Sequence, residues 1–138
     1  MSKTMAILIE TDGEITTPNF PGRADADHPG GRLWYVRDLI DSADPIAVAV
    51  PKSRLVVWLD GHAYTRMRSA NLVATFTFAD AFDLPIQAIC GPLMVTGGSP
   101  DQPHPLTPLH VVKAMNRLGL SLYPSAACWL LRNTFWPV

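Results

Sequence analysis

Residues 56–78, VVWLDGHAYTRMRSANLVATFTF, hold the two readings on which the fold turns. The first half reads as strand, Asp60-Gly61 turn, strand, because Asp-Gly tolerates the positive φ of tight hairpin turns. The second half pulls two ways. Phe76 and Phe78 alternate with Thr75 and Thr77 as in a strand, yet Leu72/Phe76 and Phe78/Phe82 stand at the i,i+4 spacing of a helix. The early alanines, with Ser69 or Asn71 available as a cap, favour the helix. In that setting Ala74 allows close helix–sheet approach and the Thr75 hydroxyl can bond back to the helix carbonyls.

Working toward the N-terminus, IAVAV (46–50) is a strand closed by Pro51. Before it, RLWYVRDLIDSA (32–43) places Leu33, Val36, Leu39 and Ile40 at helical spacing, and Asp44-Pro45 should stop that helix. TPNFPGRADADHPGGR (17–32), with three prolines and three glycines, is an irregular loop. AILIETDGEITTP (6–18) is another strand–Asp-Gly–strand hairpin. Working toward the C-terminus, IQAICGPLMVTGG (86–98) is a strand bent at Gly91-Pro92 and broken by the glycine pair. Thr107-Pro108 then reads as an N-cap with proline at the first helical position, opening a helix with Val111, Val112, Met115 and Leu118 on one face and a stop at Gly119. A last helix opens near Tyr123 and runs to Trp136; it is apolar nearly all round. The expectation is a single α+β domain over residues 1–138, with a mixed β-sheet, hairpins and about four helices, residues 105–138 forming a C-terminal helical pair.

Composition narrows the function classes. Of 138 residues 48% are hydrophobic and 17% charged, which is the composition of a packed domain and not of a disordered chain. A net charge of -1 supplies no global field for gripping nucleic acid. Charge is uneven, however: residues 51–68 carry Lys52, Arg54, Arg66 and Arg68 against Asp60 alone, so a basic patch on the central hairpin is one candidate surface. Strand alternation puts Trp58 and Asp60 on one face, which leaves Trp58 open to solvent beside Arg66 and Arg68 as a stacking residue. Cys90 and Cys128 are too far apart for a metal motif and read as buried free thiols of a reducing compartment. MAILI is too short for a signal peptide and AACWLLRNTFWPV too short to span a bilayer, so the expected setting is cytoplasmic and off the membrane.

No catalytic constellation emerges. His28, His62, His104 and His110 make no i,i+4 pair and share no segment with a cysteine, so no metal site is expected. Asp60 could orient His62 as a base, but no nucleophile can be nominated and a turn explains the aspartate. GPLMVTGGS lacks the lysine of a phosphate-binding loop, and no other cofactor motif is present. Gly30-Gly31 before a helix, beside Arg32, is more simply a loop entering a helix than an anion site. The two C-terminal helices are long enough for a helix-turn-helix, but the second lacks the polar, basic N-terminal face of a DNA reader.

The order of signals, with Asp60-Gly61, Asn71-x-x-Ala74-Thr75, and Gly91, Val95 and Gly97 in the following strand, resembles a family known as domain of unknown function 3846. That family occurs largely in phages, plasmids and their bacterial hosts. The resemblance covers roughly residues 5–98 and leaves out the insertion at 18–31 and the C-terminal helices. It implies a cytoplasmic accessory protein of a mobile element and assigns no activity. Three functions follow as expectations. The first is a non-catalytic interaction protein that binds a host macromolecule or itself, with Trp129, Leu130, Phe135 and Trp136 as the contact residues. The second is a small-ligand or nucleotide-binding protein, or a minor hydrolase, with Asp60, His62, Arg66, Arg68 and Asn71 around one pocket and Thr75 as a further candidate binding residue. The third is nucleic-acid binding through the basic 52–68 segment with Trp58.

Overall fold

The computed structural model describes residues 4–21, 31–120 and 123. Six strands and three helices lie among them. The strands are β1 (Ile7–Ile9), β2 (Ile15–Thr16), β3 (Pro45–Ala49), β4 (Leu55–Asp60), β5 (Leu93–Gly98) and β6 (Pro103–His104). The helices are α1 (Arg32–Leu39), α2 (Leu72–Phe82) and α3 (Pro108–Arg117). Strand order is β2-β1-β5-β4-β3, with β6 pairing β5 beyond the end of β1. The expected C-terminal helix and the four contact residues Trp129, Leu130, Phe135 and Trp136 lie outside the described residues.

An α+β fold is what the patterns imply, but the sheet is not mixed: every strand pair among the described residues is antiparallel. The reason lies after α2. Asp83 adopts a left-handed φ of 51° that ends the helix, and residues 84–89 run back without strand pairing to the end of the sheet that β4 left, where Cys90 makes a single antiparallel bridge with Ala70. Ile89 receives its bonds there, its N–H donating to Thr75 Oγ1 and its carbonyl accepting from Asn71 N. β5 therefore enters against β4 in the opposite direction, and residues 86–90 are not part of the strand they seemed to begin.

Strand alternation sorts the core into two layers. Ala6, Leu8, Val56, Trp58 and Met94 point to one face, where Val36 and Ile40 of the α1 region and Phe20 cover them. Ile7, Ile9, Val57, Leu93 and Val95 point to the other, under Ala74 of α2 and Val111, Ala114 and Met115 of α3. The sheet is thus buried between helices on both sides. No helix among the described residues is long and apolar enough to cross a membrane.

Two expectations about residues 55–68 are corrected. Trp58 does share a face with Asp60, but α1 covers that face, so the indole is only 2% exposed and its Nε1–H donates to Thr96 Oγ1 at 2.9 Å. The hairpin turn is also elsewhere: β3 and β4 are joined through residues 50–54, and the chain after Asp60 winds through successive turns over 61–67 instead of forming a strand. Gly61 is needed there for closeness and not for a hairpin φ. Its N–H donates to Asp44 O at 2.9 Å, and a Cβ at that position would lie 2.6 Å from the same oxygen.

Candidate functional site

Asp60 is the centre of the first cluster. Its Oδ1 accepts from the Ser42 hydroxyl (2.8 Å) and His62 N–H (3.0 Å), and its Oδ2 from Arg66 Nη1 (2.8 Å) and Arg68 Nη1 (3.0 Å). Four donors fill the four lone-pair positions of a carboxylate. Burial alone would raise the Asp60 pKa; the His62 N–H, Arg68, the Ser42 hydroxyl and Arg66 together outweigh it and hold the group down to about 2. The two arginines continue to the C-terminal end of α1. Arg66 donates to Asp41 O (2.6 Å) and Arg68 to Ile40 O (2.9 Å) and Asp41 O (3.0 Å), which are carbonyls that the ended helix leaves without partners. Asp60, His62 and Arg66 do share a surface depression of about 510 Å³ with Trp34 and Asp41. Their charges, however, are bonded to one another, and His62 Nε2 stands 3.1 Å from Asp44 Oδ2. The cluster fastens α1 to the end of β4, and a saturated carboxylate has no lone pair left for a proton or a ligand.

Asn71 and Thr75 form a separate fastening. Asn71 Oδ1 accepts from Ala74 N–H, and its Nδ2 donates to Ile9 O and Gly91 O, all at 3.0 Å. Thr75 Oγ1 donates to Asn71 O at 2.7 Å. Asn71 is fully buried and Thr75 nearly so, which keeps both away from the depression around Asp60. The expected basic patch is also divided: Lys52 and Arg54 precede β4 while Arg66 and Arg68 follow it, about 20 Å apart along a six-residue strand, and the second pair is neutralised by Asp60 and Asp41.

The open site is at the opposite end of β4. There α3 crosses the ends of β4, β5 and β6 and leaves a cavity of about 530 Å³. His110, Lys113 and Arg117 line it from α3, at i, i+3 and i+7 along one stripe, because the apolar stripe of Val111, Ala114, Met115 and Leu118 faces the sheet core. Arg54 enters from the β3–β4 turn and His104 from β6. Leu55, Pro105 and Leu106 supply apolar wall, and Gly97 and Gly98 a backbone floor. Gly98 has a φ of +86° and sits so close to Gln102 O that no Cβ fits. Among the described residues no carboxylate lines the cavity. Two of the polar groups are held in place. Arg117 Nη2 donates to Pro51 O at 2.8 Å, which uses one of its five donors. Arg32 Nη1 lies 2.9 Å from His104 Nδ1; arginine only donates, so Nδ1 accepts and the ring hydrogen resides on Nε2.

The sequence alone does not reveal this cavity, because His104 and His110 are weighed there only as metal ligands. Among the described residues no three His, Cys, Asp or Glu side chains could together hold a metal ion. One signal was available: no Asp or Glu follows Asp101, while His104, His110, Lys113 and Arg117 all do. Compared with known protein families, curated proteins and solved structures, the chain matches none.

Proposed function

We propose that this chain is a non-catalytic, cytoplasmic binding protein for a small anionic molecule, held in the cavity between α3 and the ends of β4, β5 and β6. One observation carries the reading: Arg54, Lys113 and Arg117, with two imidazoles, converge on one concavity that no carboxylate of the described residues enters. Unneutralised cations around a low-dielectric wall attract anions and discriminate against cations. The volume falls within the roughly 300–1,000 Å³ typical of small-molecule sites. The ligand site of the second sequence expectation is thereby moved from residues 60–71 to the other end of the sheet. The proposed role is an accessory one and not a metabolic one, which is what the sequence resemblance implies. Thermal unfolding with phosphate, pyrophosphate or citrate tests the reading. Ligand at about a hundredfold its Kd adds about 2.7 kcal/mol, a rise of several degrees in Tm. Lys113→Gln should reduce that rise. An equal rise in wild type and variant, or none in wild type, would refute it.

A second reading, self-association, is favoured by exposed apolar side chains. Leu72 and Phe76, at i,i+4 on α2, are 67% and 50% exposed, and Leu84 and Ile86 follow them on the next segment. A second copy of the chain is the proposed occupant. Light scattering on wild type and Phe76→Glu decides it: a dimer lost in the variant supports the reading, and a wild-type monomer at high micromolar concentration removes it.

A further inference from the structure

Resting on the anion-binding reading, we infer that the ligand is a mononucleotide, with its phosphate at the Arg54/Arg117 end of the cavity and its base at the His104/His110 end. The two ends follow from topology. Arg117 bonds Pro51 O in the turn that also carries Arg54, so those two guanidinium groups belong to one end. His104, Pro105 and Leu106 lead directly into the cap of α3, three residues before His110, so the imidazoles belong to the other. Lys113 stands between, nearer His110 along the helix but on the same stripe.

Both walls have the same reach. From His110 to Arg117 the helix rises about 10 Å. Leu55, Gly97 and His104 are cross-strand neighbours, and two strand spacings also make about 10 Å. A bare oxyanion would occupy one end and leave the rest empty. The two ends also differ in chemistry. Arginine forks match phosphate oxygens, and among the described residues no carboxylate in the cavity wall competes for Arg54 or Arg117. At the far end the exposed imidazole rings and the ring of Pro105 offer flat, weakly polar surface suited to a heteroaromatic ring. With its hydrogen on Nε2, His104 also keeps a donor for a ring nitrogen or a sugar oxygen.

Isothermal titration of the full chain at low salt, with the four ribonucleoside monophosphates, ribose 5-phosphate and inorganic phosphate, tests this. At least one nucleotide should bind about tenfold tighter than ribose 5-phosphate, the increment that stacking a base supplies. His110→Ala should remove that advantage and leave ribose 5-phosphate affinity within about twofold of wild type. Arg54→Gln should weaken nucleotide and ribose 5-phosphate by the same factor, about tenfold. Ribose 5-phosphate binding as tightly as every nucleotide would overturn the mononucleotide assignment and leave anion binding standing. So would equal loss for both ligands in His110→Ala. Failure of every phosphate compound, pyrophosphate included, and of citrate would overturn the anion-binding reading itself.

Discussion

Replacing Asp60 by asparagine puts the structural interpretation of the Asp60 cluster under direct strain. The carboxylate is buried, with a side chain only 1% exposed, and its pKa is lowered from 3.8 to about 2. At about 1.4 kcal/mol per pH unit, that difference is worth about 2 kcal/mol of folding free energy at neutral pH. The sign follows from proton uptake. The folded-state pKa is the lower one, so the unfolded chain takes its proton first as the pH falls, and the contribution present above pH 4 is lost progressively from about pH 4 to pH 2. Asp60→Asn also turns an amide NH₂ toward donors that expect an acceptor, leaves Arg68 facing no anion and leaves Arg66 only the exposed Asp41 carboxylate. Breaking such a pair typically costs about 3–5 kcal/mol, so at pH 7 the variant should be about 3 kcal/mol less stable. Urea unfolding of both proteins at pH 7, 5, 3 and 2 reads both quantities. The gap between them should narrow by about 2 kcal/mol between pH 5 and pH 2, while the many exposed carboxylates cancel in the difference. A variant within 0.5 kcal/mol of wild type at pH 7, a marginal effect by the scale of ordinary surface substitutions, or a gap that does not change with pH, would show that the cluster does not hold α1 to β4.

Other substitutions probe the remaining supports. Asn71→Ala removes a helix cap and two buried donors at once, and should cost about 3 kcal/mol by chemical denaturation. Thr77 Oγ1 is buried on α2 with no hydrogen-bond partner, so Thr77→Val should raise stability by about 0.5–1 kcal/mol; a loss would mean the hydroxyl is satisfied. Lys113→Gln and Arg54→Gln, on the exposed rim of the cavity, should leave unfolding midpoints within about 0.5 kcal/mol while weakening anion binding.

Local chemistry was legible where the partner lies close in sequence. Asn71 caps the segment that follows it, Thr107 and Pro108 open α3, and residues 7–16 pair as a hairpin, as the residue types alone suggest. Reading failed where the deciding partner is distant. Asp60-Gly61 carries a hairpin signature, but the chain is turned by Gly61 N–H on Asp44 O, and Arg66 and Arg68 are drawn back to carbonyls at Ile40 and Asp41, 25 or more residues earlier. Alternation placed Trp58 on the correct face; what it could not reveal was that α1 lies across that face. The basic cavity drew Arg54 and the residues of 104–117 from segments some fifty positions apart, which only the pairing of β4, β5 and β6 brings together.

The central claim is where the anion sits, and a backbone amide NMR titration with pyrophosphate tests it most directly. The account predicts saturable shifts concentrated at Arg54, Lys113 and Arg117, falling off sharply as salt is raised. Shifts centred on Asp41, Asp60 and Arg66 instead, or no saturable shift at low salt, would contradict it.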